Sequence, residues 1–242
     1  MKNTNKMALC ISGQPRSYKI GFEYIKKNLL DHYDVDVFYH SWLKQDIDSN
    51  NIFAEIKQLY NPKSYSVEKT LANVFDDKYL RIPNEKFPAY FTVSAFYSIY
   101  KANNLKMLFE KKNNFFYDWV IRIRFDYALN AIPDFSLLEK NKVYIPNCRM
   151  VPERNFGNDQ FAMGSSKVID MYSETYLNLD EFYNKGTVMI GEDMLRENLT
   201  KHNLIGENLV YVDMNNPFPP GKHNGTWHSL IRDDYENWSA RK

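Results

Sequence analysis

Two arginines and an aspartate close the segment Tyr117-Asp118-Trp119-Val120-Ile121-Arg122-Ile123-Arg124-Phe125-Asp126. A guanidinium offers a planar fork of N–H donors that matches phosphate oxygens, and a carboxylate can hold a hard cation. Trp119, Ile121 and Ile123 alternate with Val120, Arg122 and Arg124, the period-2 pattern of a strand. A wholly solvated face would not need Val120, and a wholly apolar one would not admit two arginines. The pattern therefore places the arginines at the strand's outlet, where open α/β sheets bind ligands. The same residues also fit an edge strand that ends in an ordinary surface Arg/Asp pair.

Three further groups have chemistry-bearing residues at telling positions. Ser12-Gly13-Gln14-Pro15-Arg16 follows an apolar run. Gly13 lets the backbone turn close beneath a ligand, and Gln14 and Arg16 can reach a base or a phosphate. A plain turn with a solvated arginine accounts for the same residues. Asp159-Gln160 precedes a short apolar strand ending at Gly164 and, on composition alone, is a loop carboxylate. Glu192-Asp193 heads a helical run beginning at Met194, where the helix dipole favours ionised acids and where acids also serve as caps. His32, His40 and His202 have no partner signature and read as structural.

The elements that must position these residues follow from periodicity. Met7–Ile11 reads as a buried strand, Ser17 as the cap of a helix marked by Phe22, Ile25 and Leu29, and Val35–Trp42 as a second strand. Strand, helix, strand is the opening of an α/β fold with parallel pairing. The polar stretch Asn61–Asn84 holds at most a short strand at Ser64–Glu68. Thr92 or Ser94 then opens a long helix, with Val93, Phe96, Tyr97, Tyr100, Met107 and Leu108 on one side. Val143–Pro146 and Leu209–Val212 read as strands, and Val168–Tyr176 and Asp193–His202 as helices. The expected whole is one α/β domain over residues 1–216, with a mostly parallel central sheet and helices on both faces, followed by an irregular tail over 217–242.

Composition narrows the setting. A net charge of +1 in 242 residues excludes a nucleic-acid groove and a polybasic membrane anchor. Two cysteines, Cys10 and Cys148, make neither a disulfide framework nor a cysteine-based zinc site. The run Met7–Ile11 is too short for a signal sequence or a membrane span, so a cytoplasmic chain without a transmembrane segment is expected. The 18 tyrosines and 16 phenylalanines suit sugar or base binding, but packing explains most of them.

Taken in order, Ile11–Arg16, Arg122–Asp126, Asp159–Gly164 and Gly191–Leu195 resemble the nucleotide-sugar glycosyltransferases of the GT-A fold, over roughly residues 7 to 213. The likeness is to members that build bacterial capsule or lipopolysaccharide chains and to relatives in large viruses. It implies a single GT-A-like, Rossmann-like domain that moves a sugar from a nucleotide-diphosphate donor to a glycan acceptor. A divalent cation, Mn²⁺ or Mg²⁺, would clamp the diphosphate. Within the resemblance, Asp126 matches the last acid of the family's DxD element, and Arg124 stands where its first acid would be. The resemblance further assigns Ser12, Gly13, Gln14, Arg16, Arg122, Arg124 and Lys222 to the donor, and Asp159, Gln160 and Glu192 to the sugar or acceptor. It makes Asp193 the general base of an inverting transfer, joins His223 to Asp126 at the metal, and folds the tail over the diphosphate as a lid, with His228 in a basic loop. Partners would be the nucleotide sugar and the glycan acceptor, no nucleic acid, and peripherally the glycan-assembly machinery. A non-catalytic carbohydrate- or nucleotide-binding protein on the same fold stays open, as does a transferase of phosphorus-containing groups onto capsular sugars.

Overall fold

The run Met7–Gly13 forms β1, buried along its length up to Ser12 because a neighbouring strand pairs with it on each side. The computed structural model describes residues 5–43, 49–70, 78–82, 88–146 and 159–212. After β1 come α1 (Tyr18–Ile25), β2 (Val35–Leu43), α2 (Ser49–Tyr60), β3 (Ser64–Lys69), α3 (Ala89–Asn113) and β4 (Trp119–Arg124). Then follow β5 (Val143–Pro146), β6 (Phe161–Gly164), α4 (Ser166–Ser173), α5 (Thr175–Asn184), α6 (Gly191–Lys201) and β7 (Leu209–Val212). The seven strands make one sheet in the order β3-β2-β1-β4-β6-β5-β7. Strands β1 to β4 pair in parallel, as do β5 and β7, and β6 is antiparallel to both its neighbours.

Side chains alternate along each strand, and the two faces bury different layers. Leu9, Ile11, Ile121 and Ile123 share one apolar layer with Ile25, Leu29 and Ile56, which belong to α1, the turn after it, and α2. Ala8, Cys10 and Val120 share the other with Phe96, Ile99 and Ala102 of α3 and with residues of α4, α5 and α6. Helices therefore cover both faces, as the parallel pairing requires.

Local details differ from expectation for identifiable reasons. Helix α3 begins at Ala89 with Pro88 as its N-cap, ahead of Thr92 and Ser94. Met107 and Leu108 are exposed, and the buried stripe continues instead through Lys106 and Glu110. That path is open to charge because the Lys106 ammonium meets Glu110 at 3.0 Å and Asp170 at 2.7 Å, while Ser166 donates to Glu110 at 2.6 Å. Ser17 stands at the start of α1 in a left-handed conformation, φ 46°, and its side chain does not cap the helix. The expected helix Val168–Tyr176 divides into α4 and α5, and α2 is an addition to the expected elements. No helix among the described residues is long and apolar enough to cross a membrane.

Candidate functional site

The chain leaves β1 through α1 towards β2, whereas β4 lands on the other flank of β1 after α3 has crossed the opposite face. Neighbouring strands whose connections depart to opposite sides leave a crevice at their C-terminal ends, where open α/β sheets take their ligands. In this register Ser12 lies beside Arg124, and Cys10 beside Arg122. The expected outlet position of the arginines is therefore met, one at the rim and one a pair deeper.

Arg122 is buried and its guanidinium is fully oriented. It donates through Nη1 to the backbone carbonyl of Asp159 and through Nη2 to Ser12 Oγ at 3.1 Å. Burial pushes its pKa below the ordinary value, because desolvation disfavours the charged form. Arg124 is one-third exposed and forks onto Asp126, Nε to Oδ1 at 2.8 Å and Nη2 to Oδ2 at 2.7 Å. The loop carrying Asp126 is held close by α1. A β-carbon on Gly21 would stand 2.0 Å from the Phe125 carbonyl oxygen, so only glycine permits this approach.

The Gly13 turn is pinned from two directions. Its N–H donates to Ser98 Oγ on α3 at 2.8 Å, and its carbonyl accepts from Ser41 Oγ on β2 at 2.9 Å. Gly13 has φ 108° with open space where a β-carbon would go, so the requirement for glycine is conformational and not steric. Ser98 also meets His40 Nδ1 at 2.8 Å, and the other ring nitrogen lies 3.6 Å from Glu68. Burial drives the His40 pKa down to about 4, with Glu68 opposing, so the ring is neutral at physiological pH. Beyond the turn, Arg16 is exposed, and Gln14 Oε1 is buried with no hydrogen-bond partner among the described residues.

Because β6 runs antiparallel to β4, its leading residues Asp159 and Gln160 arrive at the C-terminal end of β4, where Phe161 pairs with Ile123. The Asp159 carboxylate then faces the first turn of α6: its Oδ2 lies 3.1 Å from where a Gly191 β-carbon would be. Glu192 and Asp193 sit in that same turn, at the positive end of the helix dipole. Asp193 is largely buried, and Arg196 approaches it at 3.7 Å. At the outlet of β1 and β4 thus stand Ser12, Gly13, Arg122, Arg124 and Asp126, with Asp159 and Gln160 leading into β6 beside them and Glu192 and Asp193 in the turn of α6 that Asp159 meets. Lys222, His223, His228 and the whole stretch 213–242 lie outside the described residues.

Asp126 is engaged by Arg124, and His223, the other residue expected at a cation, lies outside the described residues. Both Asp126 oxygens accept from Arg124, and among the described residues no three His, Cys, Asp or Glu side chains group to hold a metal. The family described as a domain of unknown function (DUF7796) matches residues 2–218. The chain belongs to that DUF7796 family. No curated protein matches it.

In this DUF7796 domain the site includes groups that sequence reasoning passed over. Tyr172 lies buried on α4 in the neighbourhood of Arg122, Asp159 and Glu192, and burial pushes its pKa up, so its hydroxyl stays neutral. Its hydroxyl and Arg122 Nε are both buried and have no hydrogen-bond partner among the described residues. Ser98 and Ser41 carry the Gly13 turn. Nothing in a single sequence separates Tyr172 or Ser98 from ordinary helix-core residues. His40 was legible as structural, and its place behind the turn agrees with that. Cys10, though in the central strand, is no nucleophile: burial pushes its thiol up to about 12.

Proposed function

We propose that this chain is a GT-A-type glycosyltransferase that moves a sugar from a nucleotide-diphosphate donor to a glycan acceptor, with inversion, in the synthesis of a surface glycan such as capsule or lipopolysaccharide. The observation that carries the reading is the meeting, at one switch point, of a phosphate-type arginine pair with an acid-bearing helix N-terminus. Arg124 lies beside the Gly13 turn, while the Asp159 carboxylate meets the first turn of α6, which carries Glu192 and Asp193.

In that reading the diphosphate rests by the Gly13 turn and Arg124, with Arg122 behind it, where fixed positive charge stabilises the negative charge that grows on the leaving group. The acceptor hydroxyl attacks the anomeric carbon as the carbon–oxygen bond to the diphosphate breaks, and the bonding pair leaves with the diphosphate. The hydroxyl proton passes to the Asp193 carboxylate, which stands at the positive end of the α6 dipole. Asp159 and Glu192 are suited to hold sugar hydroxyls, since carboxylates accept strong hydrogen bonds.

The test is release of nucleoside diphosphate from a panel of nucleotide sugars, with and without glycan acceptors, by wild type and Asp193→Asn. Turnover by the wild type that falls about 10²-fold or more in the variant supports the reading. Binding of a nucleotide sugar without any turnover across the panel would favour a non-catalytic binding protein.

A further inference from the structure

The Arg124–Asp126 pair has an order of exposure that bears on how a diphosphate is neutralised. The carboxylate is the inner partner, its side chain only 3% exposed, and the guanidinium is the outer one at 33%. What faces the crevice is therefore positive charge and not an acid waiting for a cation. The fork to Asp126 uses two of the five guanidinium N–H donors, and a guanidinium so engaged on one edge can still offer its outer edge to phosphate oxygens.

Resting on the glycosyltransferase reading, we infer that Arg124, held in place by Asp126, takes the part of the divalent cation, so that the diphosphate of the donor binds without a metal. A cation that used Asp126 would compete with a guanidinium that already engages both carboxylate oxygens in charge-assisted hydrogen bonds. A planar guanidinium, by contrast, meets phosphate oxygens two at a time.

The charges nearby leave room for this. Arg122 adds a second positive charge close behind, and its own bonds go to neutral acceptors, Ser12 Oγ and the Asp159 carbonyl. The opposing charges are the carboxylates of Asp159, Glu192 and Asp193; the first is directed at the N-terminal turn of α6 and the other two stand in it, where the helix dipole offsets part of their charge. Asp126 is then a positioning residue: it fixes the plane of Arg124 and holds no ligand itself.

Isothermal titration calorimetry on the full chain decides the matter, with UDP, GDP, CDP and inorganic pyrophosphate as probes, each in EDTA and in Mn²⁺. The inference expects at least one nucleoside diphosphate to bind in EDTA within about threefold of its affinity in Mn²⁺. It expects Arg124→Lys to weaken that binding about tenfold or more, since an ammonium cannot make the two-point contact. It also expects Asp126→Asn to lose affinity by the same factor in both media. Nucleoside diphosphate binding that appears only with Mn²⁺ overturns the inference and leaves the glycosyltransferase reading intact. An Asp126→Asn variant that loses affinity in Mn²⁺ alone also overturns it, by making Asp126 a cation ligand. No binding of any probe in either medium removes the inference together with the reading beneath it. The EDTA comparison is made on the wild type, so it stands even if a variant folds poorly.

Discussion

The Asp159 carboxylate and the backbone of Gly191 meet so closely that a β-carbon on Gly191 would lie 3.1 Å from Asp159 Oδ2. This contact joins the residues that lead into β6 to the helix that bears Glu192 and Asp193. Gly191→Ala tests whether the contact serves function or folding. At the first position of α6, alanine for glycine reduces the freedom of the unfolded chain, worth about 0.4–1 kcal/mol, and only the end of a side chain must yield. The melting temperature is expected to hold or rise slightly while glycosyl transfer falls about tenfold. A variant that keeps full activity would show that the position of Asp159 is unimportant to the reaction.

How far the site was legible in the sequence follows from the kind of signal each part leaves. The strand with Arg122 and Arg124 was readable because alternation and charge coincide in six residues, and its outlet position was borne out by the register with β1. The pairing of Arg124 with Asp126 was only one of several options open to two side chains that close. Which helix face would be buried was misread at Met107 and Leu108, because apolar periodicity cannot foresee a charge network. Lys106 and Glu110 are drawn inside by Asp170 and Ser166, some sixty residues on. Helix α2 carries Ile52, Phe53, Ile56, Leu59 and Tyr60 at helical spacing, a signal present in the sequence and not used. The convergence of Asp159 with Gly191 depends on β6 running antiparallel, which no local pattern announces.

The Lys106 network makes its own prediction. Lys106→Met would leave Glu110 and Asp170 without their shared cation, and Glu110 is buried. Loss of one partner in a buried pair costs about 3–5 kcal/mol. Urea unfolding should show a decrease of that size. A loss under about 1 kcal/mol would mean that the network contributes little beyond its shape.

His40 predicts a pH dependence of stability with a definite sign. Its native pKa is held down to about 4, against an ordinary value of 6.5, chiefly by burial. Between those values the unfolded chain binds a proton that the native chain refuses, so unfolding is favoured by acid. The stabilising contribution is complete above about pH 6.5 and is lost as pH falls through about 4. Unfolding free energies of wild type and His40→Gln should therefore draw together on acidification across that window. A constant difference between them from pH 7 to pH 4 would show that His40 titrates normally.

The claim on which the account turns is that a nucleotide sugar binds at the β1/β4 outlet beside Arg124. The direct measurement is a thermal-shift series over a panel of nucleotide sugars on wild type and Arg124→Gln. Ligand at a hundredfold excess over its dissociation constant stabilises by about 2.7 kcal/mol, which corresponds to roughly 5–10 °C in a chain of this size. The account predicts such a rise for at least one nucleotide sugar with wild type, and little or none for that sugar with the variant. No shift for any member of the panel, or an equal shift in wild type and Arg124→Gln, would contradict it.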